Sequence, residues 1–257
     1  LLMALAYALL TRFDIAVFVI ALQKHVQTPL YQHVRRLNIV VRWAQRHQMK
    51  LKYGNMTCQK IIESHSDIGF LREADKGGEV DGKATKGVNI FRIGERIGKI
   101  TKCHLIDVAV GAVKVVVRST FTAETHGVIG AADTGICTAT TFHEINVGPK
   151  DLMTTKAYAD YGGLSFSLHC VTDAKNLLLI LKNVNMKNRA EKNFLVHLRW
   201  LKDKLENGVI QKLLWCDTRD MTADGHAKGK IQRTTIHEIM GGNMTISHER
   251  ETLELSN

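Results

Sequence analysis

The stretch from Lys102 to Glu124 reads Lys102-Cys103-His104-Leu105-Ile106-Asp107-Val108-Ala109-Val110-Gly111-Ala112-Val113-Lys114-Val115-Val116-Val117-Arg118-Ser119-Thr120-Phe121-Thr122-Ala123-Glu124. Its apolar and β-branched residues predict a strand, a break at Gly111 and a second strand over Val113–Val117. Ser119 or Thr120 then caps a helix, because a hydroxyl accepts from the unpaired N–H groups of a first turn. That helix is expected to run to about Ile145 and to stop at Gly148-Pro149. Strand texture giving way directly to a helix start marks a layered α/β chain.

Upstream, Lys60–His65 and Gly87–Ile93 read as strands, separated by the polar, Gly-rich stretch Glu73–Lys86. Downstream come a short helix over Lys150–Tyr161, a strand over Leu164–Thr172 and a helix over Ala174–Leu181. A helix over Ala190–Leu205 puts Phe194, Leu195, Leu198 and Leu201 inside. A strand at Val209–Cys216, a helical region at 221–240 and a loose tail at 243–257 complete the chain. The main elements follow the order β-β-β-α-β-α-α-β-α. A meander followed by alternating helices and strands predicts an α/β fold, a mixed sheet with helices on its faces. Ligand chemistry in such sheets gathers at strand ends.

The N-terminal part has another texture. Residues 1–22 read as one or two buried helices, and Arg12 and Asp14 interrupt them. No apolar run reaches the roughly 18 residues of a spanning helix, so no membrane is expected as a partner. Thr28-Pro29 opens a helix over Tyr31–His47, with Val34, Leu37, Val41 and Ala44 on one face. Arg35, Arg42 and Arg46 fall within about 40° of one another on the opposite face, with Trp43 beside them. Such a stripe suits a phosphate backbone with an aromatic alongside. An ordinary solvated helix face has the same pattern.

The charge is uneven in the same way. The 257 residues carry 35 Lys and Arg against 25 Asp and Glu, a net of +10. Residues 1–60 hold nine of the bases and one of the acids, leaving 26 and 24 for the remainder. A basic arm on a near-balanced body points to a polyanion. Five cysteines, an odd number with no close pair, argue against a disulfide framework and suit a reducing, intracellular setting. The chain begins at Leu1, which reads as the cut end of something longer.

Four acids stand where this architecture gathers chemistry. Asp67 follows the first strand, Glu124 lies in the first turns of the long helix, Asp173 ends the 164–172 strand, and Asp224 opens the last helical region. Clustered carboxylates raise one another's pKa unless a cation neutralises them. Hard divalent ions with oxygen ligands are the usual partner, and two of them can activate a water and stabilise a leaving oxygen.

Several stretches resemble a known family. Met3-Ala4-Leu5-Ala6-Tyr7, Thr11-Arg12-Phe13-Asp14-Ile15-Ala16, Arg118-Ser119-Thr120 through Ala123-Glu124, Asp173, and Thr218-Arg219-Asp220-Met221-Thr222-Ala223-Asp224-Gly225 through Lys228-Gly229 are similar to the C-terminal part of copia-type retrotransposon Pol polyproteins. That part ends the reverse transcriptase and continues into a ribonuclease H domain. The resemblance implies a ribonuclease H-like mixed sheet over 51–242, preceded by thumb and connection helices over 1–50. It implies Asp67, Glu124, Asp173 and Asp224 as metal-binding acids, two Mg²⁺ or Mn²⁺ ions, and hydrolysis of the RNA strand of RNA–DNA hybrids. The polymerase palm and fingers of the same polyprotein are the implied protein partner. Phe13 and Ala227 depart from the family pattern, where proline and threonine are usual. No Asp-Asp dipeptide exists in the chain, so the polymerase signature is missing.

Other residues read more blandly. His226 is expected on the surface, His65 on the Asp67 face of its strand, and Asp217 and Asp220 as loop and cap acids. His237-Glu238 lacks the second histidine of a zinc-protease helix.

Overall fold

Strand β1 (Ile61–Gly69) is buried from Ile62 through Ile68. A strand covered on both faces belongs in the middle of a sheet with a layer on each side. The computed structural model places it so, and describes residues 1–56, 59–69, 84–113, 119–183, 192–228 and 233–255. Strand β2 (Thr85–Ile97) pairs antiparallel with β1, and β3 (Ile100–Ala112) antiparallel with β2. On the other side β4 (Ser167–Thr172) runs parallel to β1, and β5 (Lys212–Trp215) parallel to β4. Two short strands, β6 (Asn243–Thr245) and β7 (Glu251–Leu253), complete the order β6-β3-β2-β1-β4-β5-β7. The helix-flanked mixed sheet is compatible with the expected ribonuclease H-like fold.

The expected loose tail supplies both edge strands. β6 pairs with β3 and β7 with β5, on opposite edges, with only residues 246–250 between them. A flat sheet of this order would hold its edges about 28 Å apart, at ~4.7 Å per strand. Six Cα steps reach at most about 21 Å. The sheet therefore curls until one short connector spans it.

Helix α4 (Thr120–Val147) covers one face. Ser119 caps it, its hydroxyl accepting from the Thr122 N–H at 3.1 Å. Ala123, Gly127, Ala131, Gly135 and Ala139 recur every fourth residue and are all buried. A Cβ on Gly135 would lie 2.7 Å from Leu168 Cδ1, and one on Gly127 3.0 Å from Ile68 Cγ1. The stripe is thus the surface on which the helix meets β1 and β4. Helices α5 (Leu152–Tyr161), α6 (Lys175–Lys182) and α7 (Lys192–Glu206) follow α4 in the chain. Leu177, Leu178, Leu198, Leu201 and Leu205 join Ile62 and Leu168 in one apolar core.

The other face of β1 meets helix α8 (Asp224–Ala227), with α9 (Thr234–Met240) beside β3 and β6. A Cβ on Gly69 would lie 2.6 Å from the Ala227 carbonyl oxygen. On Gly87, the Cα partner of Asp67, it would lie 2.8 Å from the Ala223 oxygen and 3.0 Å from the Ala227 nitrogen. These are backbone atoms, so the glycines fix how closely α8 approaches. The N-terminal helices are α1 (Leu2–Ala8), α2 (Ala16–Gln23) and α3 (Tyr31–Arg46), with Ile15, Val19, Leu22 and Val40 between them. Phe13 leaves that group to pack with Phe91, Ile93, Cys103 and Leu105 of the sheet. Among the described residues no helix is long and apolar enough to cross a membrane.

Four local expectations change. β3 runs unbroken through Gly111, which pairs with Lys86, and residues 114–118 lie outside the described residues. The Glu73–Lys86 loop falls mostly outside them too, and its end, from Thr85, belongs to β2. Among the described residues the 221–240 region holds two short helices, because Lys228 leaves the helical region (φ −128°, ψ 115°). On α3 Leu37 and Ala44 pack inward as expected, joined by the buried His33 and Val40, while Val34 is exposed. His33 turns in because its Nδ1 accepts from the Leu30 N–H at 3.0 Å.

The close approach of α8 sets the first test. Gly87→Val is expected to lower stability by about 1–3 kcal/mol, the usual cost of overpacking. Gly111→Ala, whose Cβ would meet nothing within 4 Å, is expected to stay within about 0.5 kcal/mol. Urea denaturation of the two variants checks this, and equal costs would contradict it.

Candidate metal centre

Three of the four expected acids meet at one end of the sheet. Asp67 is near the end of β1 and 1% exposed. Asp173 directly follows β4, the parallel neighbour of β1, and Glu124 projects from the start of α4. One carboxylate oxygen from each lies within 4.8 Å of the others. Asp224 stands outside this trio, at the start of α8. The Lys228 ammonium joins it to Asp67. It donates to Asp224 Oδ1 and lies 3.4 Å and 3.3 Å from the two Asp67 oxygens.

This crowding governs the charges. Burial pushes the Asp67 carboxyl up to about 7, and Asp224 and Asp173 add to the rise while Lys228 opposes it. Burial, with Asp67 and Asp173 nearby, pushes Glu124 up to about 8. Asp173 is also raised by burial, against a hydrogen bond from the Thr218 hydroxyl at 3.1 Å. Burial works against the charge on Lys228, but the two aspartates outweigh it and hold the ammonium protonated above its usual range. Asp67 Oδ2 is buried and accepts no hydrogen bond, although the ammonium is close. A buried carboxylate with one oxygen that accepts no hydrogen bond, beside two further carboxylates, fits a hard divalent cation. The trio, Asp67 buried and Glu124 and Asp173 half-buried, can hold a metal ion.

A second polar network backs the site on the same face of β1. Burial alone would push Glu63 up, but Arg250 at 3.1 and 3.2 Å, with His169 and His65, holds it well below the usual carboxylate range. The ionised carboxylate only accepts, so His65 Nε2–H donates to it at 3.0 Å. Burial keeps His65 neutral, and its Nδ1 accepts from the Thr222 hydroxyl at 2.9 Å. Thr222 sits two residues before Asp224. Asp220 accepts from the N–H groups of Ser247 and His248 at 2.9 and 2.8 Å. The C-terminal segment therefore holds the loop that delivers Asp224 at Asp220, while His65 and Asn89 of the sheet hold it at Thr222.

Other expected residues fall elsewhere. Arg35, Arg42 and Arg46 are exposed along α3. Trp43 is half-buried, its ring stacked on His47 at 4.5 Å with Arg12 5.9 Å away. His226 is buried, not on the surface: its Nε2–H donates to the Phe13 carbonyl at 3.1 Å, and burial pushes it down to about 4. Asp217 caps the turn at Thr218–Asp220. Sequence reasoning passed over Lys228, although Asp224 and Lys228 have the i,i+4 spacing of a helical ion pair. It also passed over Glu63, which strand alternation puts on the face of His65 and Asp67.

No protein-family model matches the chain, and no curated protein is recognisably similar to it.

The raised carboxyls give a pH prediction. Folded Asp67 and Glu124 keep protons that the unfolded chain loses above about pH 4. The metal-free fold therefore loses stability as pH rises from about 4 toward 8, and keeps it in full below that window. A divalent ion displaces those protons. Calorimetry at pH 7 in buffers of different ionisation enthalpy is expected to show roughly one to two protons released per ion bound. No release would mean that both carboxyls are already ionised.

Proposed function

We propose that the chain is a ribonuclease H-type endonuclease from the C-terminal region of a copia-type retrotransposon Pol polyprotein, cutting the RNA strand of RNA–DNA hybrids. The convergence of Asp67, Glu124 and Asp173 within 4.8 Å carries this reading. Three clustered carboxylates, Asp67 buried and Glu124 and Asp173 half-buried, at the strand end of a ribonuclease H-like sheet cost stability unless a cation is meant to join them.

Asp67, Glu124 and Asp173 would hold a first Mg²⁺ or Mn²⁺, and Asp67 with Asp224 a second. When bound, such ions lower the pKa of a water and neutralise charge growing on a phosphate. The chain's own residues do the rest. Asp67 is fixed inside β1, so it is the rigid anchor of the set. Asp173 is steadied by the Thr218 hydroxyl. Thr222, held by His65 and by Asn89 at 3.4 Å, sets the start of α8 and with it Asp224. His65 is no general base here, because both ring nitrogens are already engaged. Arg35, Arg42 and Arg46 offer positive charge to a nucleic-acid backbone. Preference for a hybrid would rest on contacts to 2′-hydroxyl groups.

A labelled RNA–DNA hybrid with Mg²⁺ or Mn²⁺ tests the reading. The RNA strand is expected to be cut, and Asp67→Asn to slow cutting by about 10²–10³-fold, the scale of removing one preorganised electrostatic group. Equal RNA survival with both proteins would overturn it. Salt-sensitive binding without cutting, lost on replacing Arg35, Arg42 and Arg46, would then mark a decayed nucleic-acid-binding remnant.

A further inference from the structure

Lys228 is the chain's own cation in the proposed metal centre. Among the described residues it is the only base that forms an ion pair with any of the four acids. Its ammonium touches the two carboxylates, Asp67 and Asp224, that would have to share a second divalent ion. Asp224 itself stands outside the trio. Its Oδ1 is taken by Lys228, which also lies 3.4 Å and 3.3 Å from the two Asp67 oxygens, while one oxygen of Asp67 lies within 4.8 Å of one from Glu124 and one from Asp173.

We propose that Lys228 fills the second cation position in the free protein, so that the centre takes one divalent ion and a second enters only when the lysine swings out. This rests on the metal-centre reading above. Charge balance favours the exchange. Four ionised carboxylates carry −4, so one divalent ion and one ammonium leave −1, and two divalent ions leave zero. Lys228 can move, because its side chain is 28% exposed and its backbone has already left the helix. Asp67, Asp224 and the backbone contact to Asp224 are its hydrogen-bond partners. A flexible ammonium also pairs readily with phosphate. A nucleic-acid backbone arriving at the site gives the displaced lysine a new partner. Substrate and second ion are therefore expected to bind cooperatively, each easing the entry of the other.

Mn²⁺ titration followed by electron paramagnetic resonance, without nucleic acid, tests this. The wild-type chain is expected to bind one Mn²⁺ and Lys228→Met two. Lys228→Arg, which keeps a cation in place, is expected to bind one. Lys228→Gln, which removes the charge but keeps a polar side chain, should behave as Lys228→Met and guards against a variant that fails to fold. Two ions on the wild-type chain, or one on both uncharged variants, would overturn the role of Lys228 and leave the metal centre standing. No ion on the wild-type chain would overturn the metal-centre reading itself. Thermal melting gives an independent measure. Without metal, Lys228→Met is expected to melt below the wild type, and saturating Mn²⁺ to remove the gap. A gap that Mn²⁺ leaves unchanged would assign Lys228 a purely structural role.

Discussion

Five small residues of α4, from Ala123 to Ala139, recur at every fourth position and let its backbone settle onto β1 and β4. Larger side chains there would lift the helix off the sheet. Its start carries Glu124, so the depth of that contact decides whether Glu124 reaches Asp67 and Asp173 at all. Gly69 and Gly87 play the same part on the opposite face for α8 and Asp224. Two helices, pressed close from two sides, thus bring their acids to one strand end. The curl of the sheet adds the third element, since it carries the C-terminal segment back across Glu63.

Glu63 and Asp67 show how neighbours decide the fate of a buried acid. They lie on the same strand and the same face, and both are almost fully buried. Glu63 has a guanidinium within 3.2 Å and two histidines beside it, and stays ionised well below the usual range. Asp67 shares its space with three other acids and one ammonium, and is pushed up to about 7. The first arrangement is closed, with donors around the carboxylate. In the second, Oδ2 accepts no hydrogen bond although the Lys228 ammonium is 3.3 Å away, and such a crowded carboxylate is what a hard cation can satisfy.

Much of this was legible in the residues. Ser119 announced the start of α4 through its capping chemistry, and the run of strands and helices predicted the mixed sheet. Asp67, Glu124 and Asp173 were legible as a group because strand ends and helix starts share an edge. The tail was not legible. β6 and β7 have three residues each, too few to carry a pattern, and gain their order by pairing with edges already formed. The inward turn of His33 was hidden because its reason is a capping hydrogen bond rather than hydrophobicity. His226 read as a surface residue because its partner, Phe13, lies 213 residues away. Lys228 shows both sides. Its spacing from Asp224 was visible, and its contact with Asp67, 161 residues away, was not.

The chemistry proposed for the chain depends on Asp67, Glu124 and Asp173 sharing one divalent ion. Crystals grown with Mn²⁺ and measured at the manganese absorption edge address it directly. An anomalous peak is expected, bonded to one oxygen of each of these three side chains at about 2.0–2.6 Å, the range in which hard cations take oxygen ligands. Three carboxylates in place with no peak among them, or a peak bound elsewhere on the chain, would contradict it.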